Sequence, residues 1–148
     1  MTGPQTFSKL SSESLDEHGH IHFHLDQLER AVETLGAAPA DPEVVRTIAV
    51  RIDSFKERLE EHFATEEDGG LLQGVQEALP QAESDVKRIR AQHARMLEAI
   101  ERVRGLARRA DAAETATLRT ELSRLIGMIR EHEQEEDALV RRALKQSQ

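Results

Sequence analysis

The chain has 148 residues, of which 20 are Lys or Arg and 28 are Asp or Glu, giving a formal net charge of −8, with 38% hydrophobic and only 3% aromatic residues. An acidic surplus argues against a nucleic-acid surface, which needs clustered cations to displace counterions. The absence of Cys excludes disulfides, thiolate metal sites, iron–sulfur clusters and a Cys nucleophile. Met1 to Leu10 show no basic-then-apolar leader, and no stretch approaches the ~20 apolar residues of a membrane span. The expectation is one cytoplasmic, non-membrane domain over residues 1–148.

Four helices are predicted, at about 13–35, 42–67, 82–109 and 113–145. The first carries the stripe Leu15, His18, Ile21, Leu25, Leu28, Val32, Leu35, spaced by three and four residues as one helical face requires. Ser14 with Glu17 reads as its capping box and Gly36 as its stop. Asp41 is a natural N-cap, with Pro42 at the first helical position. The second stripe is Val45, Ile48, Ile52, Phe55, Leu59, His62, Glu66, ending near Asp68-Gly69-Gly70. Leu71 to Pro80 suits either a short helix or a loop. The third stripe is Val86, Ile89, His93, Met96, Ile100, Val103, Ala107. After a second capping signal, Asp111 with Glu114, the fourth runs Leu118, Leu122, Leu125, Ile129, His132, Glu136 and then Leu139 or Val140. The short links make sequential helices antiparallel, so the predicted fold is an all-α, up-down-up-down four-helix bundle with pseudo-twofold halves.

A histidine on an apolar stripe is ordinarily a hydrogen-bonded core residue, and His-x-x-x-Glu alone is a weak signal. Phase and height together change that reading. At about 100° per residue, positions i and i+4 share a face one turn apart. Both His62/Glu66 and His132/Glu136 lie on the inward stripe of their helix. His18 and His62 are equidistant from position 40, and His93 and His132 from the Asp111 turn, so all four imidazoles should meet in one layer. Buried imidazoles and carboxylates are costly unless paired or bound to a cation. This sulfur-free donor set suits iron, manganese or zinc, and its size suits two ions bridged by Glu66 and Glu136. Of the other helix-one histidines, His22 is about 40° from His18 and is a candidate fifth ligand. His20 and His24 should point toward solvent.

The residues His18, His62-Phe-Ala-Thr-Glu66, His93 and His132-Glu-Gln-Glu-Glu136 resemble the hemerythrin-like, or HHE cation-binding, family of four-helix bundles, across Leu15 to Val140. The resemblance implies a non-haem di-iron centre with an oxygen bridge, held by one His per helix and two carboxylates. It also implies a protein that carries or senses dioxygen, or that handles iron. Two departures stand out. Leu97 occupies the position four after His93, where oxygen carriers have a second His. Helix four offers both Glu136 and Asp137, at four and five residues after His132, and the stripe favours Glu136. Ligation by His22 would leave a single open position on the two irons.

The metal set predicted is therefore His18, His22, His62, Glu66, His93, His132 and Glu136, holding two iron ions ahead of zinc or manganese. Ile21, Leu25, Leu59, Phe63, Ile89, Met96, Leu97, Leu125 and Ile129 are the candidate pocket lining. The function expected is binding of dioxygen or a related small ligand, or iron handling, by a binding protein rather than a catalyst. The competing classes are a di-iron oxidase or peroxidase and a zinc-bound or metal-free helical interaction module. The oxidase class is disfavoured because the only Glu-x-x-His, Glu17/His20, faces outward and no Tyr is present to carry a radical. Glu60, Glu61, Glu131, Glu133 and Glu135 read as a solvated acidic face.

Overall fold

The structure is a computed structural model that describes residues 4–36, 41–109 and 114–147. It is all-helical: α1 Pro4–Gly36, α2 Pro42–Asp68, a short α3 Leu71–Ala78, α4 Glu83–Arg109 and α5 Thr115–Ser147, with a single 3-10 turn at Pro80–Ala82 before α4. The four long helices close a ring of contacts, α1 with α2 and α5, and α4 with α2 and α5. No helix among the described residues is long and apolar enough to cross a membrane.

Local chemistry explains most boundaries. Asp41 caps α2 as predicted, its Oδ1 accepting from the Glu43 backbone N–H at 2.9 Å, and Pro42 follows. Gly36 is the last residue of α1, while Asp111 lies outside the described residues. Gly70 turns the chain from α2 into α3 with φ at 100°, a left-handed conformation that a side chain resists. The segment after it is helical, which settles the choice left open between helix and loop.

The start of α1 differs from expectation. Ser14 and Glu17 form no capping box, because the helix begins upstream and Ser14 sits inside it. The buried face simply continues backward through Ser14, Ser11 and Phe7, each buried. Two serines hide that continuation from a hydrophobicity pattern. Ser11 satisfies its hydroxyl locally by donating to the Phe7 carbonyl at 2.8 Å. Phe7 packs directly on Gly74 of α3, where an added Cβ would lie 2.4 Å from the ring. Leu15, a predicted stripe member, is only half-buried, and Ser14 takes the inward position.

The second, third and fourth stripes are buried throughout, and both Leu139 and Val140 point inward. Two apolar clusters result. The larger joins Ile21 and Leu25 to Phe55, Leu59, Met96, Ile100, Leu122 and Ile129. The smaller gathers Phe7, Leu72, Val75, Val86, Ile89 and Val140. Truncating a fully buried Leu in either cluster costs about 2–5 kcal/mol, so both anchor the helices that carry the polar residues.

Candidate metal centre

Four histidines and two glutamates, all buried, meet in the bundle interior: His18 from α1, His62 and Glu66 from α2, His93 from α4, His132 and Glu136 from α5. The equal-height expectation holds. His18 Nε2 lies 3.0 Å from His62 Nε2, and the His93 and His132 rings are 4.9 Å apart.

The two carboxylates divide their oxygens between the two imidazole pairs. Glu66 Oε2 stands 3.4 Å from His18 Nε2 and 3.2 Å from His62 Nε2, while its Oε1 stands 3.3 Å from His93 Nε2. Glu136 Oε1 is 3.1 Å from His18 Nε2, and its Oε2 is 3.2 Å from His132 Nε2 and 3.3 Å from His93 Nε2. Two overlapping four-residue groups result, His18/His62/Glu66/Glu136 and Glu66/His93/His132/Glu136, with donor atoms in each within 4.8 Å of one another. Metal–nitrogen and metal–oxygen bonds of about 2.0–2.2 Å put neighbouring donors on one ion about 3 Å apart, which is the spacing observed. Three buried atoms of the cluster, Glu66 Oε1, Glu136 Oε1 and His132 Nε2, have no hydrogen-bond partner among the described residues. Orphaned donors converging in this way fit a cation.

Outer partners orient three of the rings. His18 Nδ1 donates to Asp137 Oδ1 at 2.6 Å, His93 Nδ1 to Glu67 Oε2 at 3.1 Å, and His132 Nδ1 to Gln92 Oε1 at 2.6 Å. Gln92 is itself fixed, because its amide N–H donates to Glu135 at 2.8 Å. An acceptor behind Nδ1 keeps the proton there and turns the Nε2 lone pair inward, the arrangement metal-ligating imidazoles use. Phe63 stacks on His93 at 4.0 Å and 9°, and meets His132 edge-on.

The cluster's electrostatics follow from this packing. Burial alone would lower the His18 pKa, but the hydrogen bond to Asp137 and the close carboxylates of Glu136 and Glu66 override it and push it up to about 12. Burial likewise opposes charge on His93, yet Glu136 and Glu66 raise it to about 9. Burial works against ionisation of Glu66 too, and close contact with Glu136 and three imidazoles holds its pKa well below the usual carboxylate range. Protons on the imidazoles thus balance two buried carboxylates, a balance that a bound cation would supply instead.

Among the helix-one histidines, His20 is exposed and His24 is half-buried against Phe55. His22 lies outside both four-residue groups; its side chain is 42% exposed, with Nδ1 3.3 Å from Arg130 and Nε2 3.6 Å from Glu133. Asp137 stands behind His18 rather than among the inner donors. Of the predicted pocket lining, all are buried except Leu97, which is half-buried.

Glu133 overturns one expectation. Rather than facing solvent with the acidic run, it is 2% exposed, and neither carboxylate oxygen has a hydrogen-bond partner among the described residues. Its position 100° from the His132 stripe points into the α1–α5 seam, where His18 Nδ1 is 3.9 Å away. Burial pushes its pKa up to about 8. Ser14 is the second residue that sequence reasoning missed: its hydroxyl donates to Glu66 Oε2 at 3.0 Å. A serine four residues before His18 on the same face was the available signal.

The sequence model of the Hemerythrin HHE cation binding domain matches residues 11–144. The chain belongs to the hemerythrin HHE cation-binding family. No curated protein and no solved structure matches it at comparable stringency. The family match spans every inner donor, from His18 on α1 to Glu136 on α5. A hemerythrin HHE domain with a buried His/Glu cluster has the means to hold a metal ion.

Proposed function

We propose that this chain is a non-haem di-iron protein of the hemerythrin HHE family, whose centre binds dioxygen or a related small ligand. Its four long helices run up-down-up-down, with α3 as an insertion between the second and third. His18, His62, His93, His132, Glu66 and Glu136 hold the metal. The observation that carries this reading is the division of each carboxylate, one oxygen toward each imidazole pair, which is what bridging two ions requires. Two ions are favoured over one because four imidazoles and two shared carboxylates exceed what one tetrahedral ion takes up, and a sulfur-free set of imidazoles and carboxylates suits iron.

Bound iron would supply reversible one-electron chemistry toward a small oxygen ligand. The chain's own residues orient and shelter it. Asp137, Glu67 and Gln92 keep Nδ1 protonated on their imidazoles and so fix Nε2 as the inward donor. Phe63, Leu59, Met96 and Ile129, all buried, form an apolar wall that restricts water. With His22 turned toward Arg130 and Glu133, the six inner residues are the ones that would hold the ions. The absence of Tyr removes the radical relay of an oxidase.

The test is an absorption spectrum of iron-loaded protein taken through reduction, oxygenation and oxygen removal. With no Trp or Tyr, the near-ultraviolet background is low. Bands that appear with oxygen and vanish on its removal support ligand binding. A centre that oxidises once and stays oxidised contradicts reversible binding and favours redox or iron-handling roles.

A further inference from the structure

Two grooves approach the centre from opposite sides, and they are not equivalent. One, of about 230 Å³, opens between α1 and α2, with Ser14, His62 and Glu66 at its floor. The other, of about 260 Å³, lies between α4 and α5 and reaches His132 alone among the inner donors. There Gln92 stands between solvent and the imidazole, tied to both His132 and Glu135, and the lining sets Arg95 against the carboxylates Glu131 and Glu135. The α1–α2 groove has no such plug and touches a bridging carboxylate directly.

Resting on the dinuclear reading above, we propose that the α1–α2 groove is the port through which the centre takes up its metal, and that its mouth is built to attract a divalent cation. The rim consists of Glu13, Glu17 and Glu61, with no Lys or Arg among the lining residues. Arg58 holds Glu17 at 3.0 Å and Lys9 stands 4.0 Å from Glu13, whereas Glu61 has no ion-pair partner among the described residues. Leu10 and Leu71 form low-dielectric walls that focus the field of these carboxylates toward the floor. At the inner end Ser14, itself buried, already hydrogen-bonds the Glu66 oxygen that faces His18 and His62. An arriving ion therefore meets a hydroxyl, an imidazole and a carboxylate in succession. The His18/His62 half is the half that loads first.

Uptake of Co²⁺ alone by metal-free full-length protein, followed by stopped-flow absorption, tests the port. Glu13→Gln with Glu61→Gln should slow uptake roughly five-fold at low ionic strength, the difference shrinking as salt screens the mouth. Leu10→Trp should obstruct the groove and slow uptake at every ionic strength. A helical circular dichroism spectrum and an unchanged final cobalt content show that each variant still folds. Glu131→Gln, at the other groove, should load at the wild-type rate. Unaltered rates in both the charge pair and Leu10→Trp overturn the port. Slowing by Leu10→Trp alone overturns the cation-attracting mouth. A wild-type protein that binds no cobalt in its core overturns the dinuclear reading instead, a separate result.

Discussion

The two halves of the centre have matching inner donors, and each backs one imidazole with a carboxylate, but they differ in what else lies behind them. On one side, His18 leans on the carboxylate of Asp137, Glu133 lies buried nearby, Ser14 reaches Glu66, and a groove touches the floor. On the other, His132 leans on the neutral amide of Gln92, while His93 leans on the carboxylate of Glu67 and is covered by Phe63. The inner set follows from helical repetition, because i and i+4 on paired helices generate the same His-and-Glu geometry twice. The outer set depends on which residue each seam happens to bury. A carboxylate behind an imidazole makes it a stronger donor than an amide does, so His18 and His93 should hold metal more firmly than His132.

Removing what the halves share should have the largest effect. Glu66→Ala withdraws a donor from both groups and should abolish binding of both ions, as elemental analysis would show; retention of one full equivalent would break the bridging assignment. Removing an inner donor from one half comes next. His62→Ala and His132→Ala should each lose most bound iron, while His24→Ala, whose ring packs on Phe55, should keep it. Outer partners should matter less. Asp137→Asn should weaken metal binding about 10- to 100-fold, and Gln92→Ala should weaken it less, in a competition titration with a chelator. Equal losses would erase the proposed difference between a carboxylate and an amide partner.

How much of this was legible in the chain follows the same division. The inner donors could be read because the 3.6-residue period places His62 with Glu66 and His132 with Glu136 on inward faces, and the turns set their heights. The residues behind them could not be read from one stripe. Glu133 sits in the run Glu131-His132-Glu133-Gln134-Glu135-Glu136, where an alternating acidic pattern looks solvated. It is buried because α5 packs against both α1 and α4, which widens the covered arc beyond a single stripe. Ser14 imitated a helix cap because capping signals are local, whereas its actual role is a contact with Glu66, 52 residues away. Phe7 was missed because the serines at positions 11 and 14 interrupt the apolar pattern that leads back to it.

The smallest expected effect isolates Glu133. Its folded pKa of about 8 lies above the ordinary carboxylate value, so the folded state holds a proton that the unfolded chain releases. That difference costs stability progressively as pH rises from the unfolded pKa, near 4.5, toward 8, and costs nothing below that range. Glu133→Gln removes the titration. It should raise the Tm of metal-free protein more at pH 8 than at pH 4, in paired thermal melts; an equal change at both values would place the carboxylate in contact with a compensating charge.

The most direct measurement of the central claim is an anomalous-difference map from a crystal of iron-loaded protein. Two peaks about 3.5–4 Å apart are expected, one between His18 and His62 and one between His93 and His132, with Glu66 and Glu136 spanning them. A single peak, or iron bound outside this cluster, would contradict a dinuclear centre.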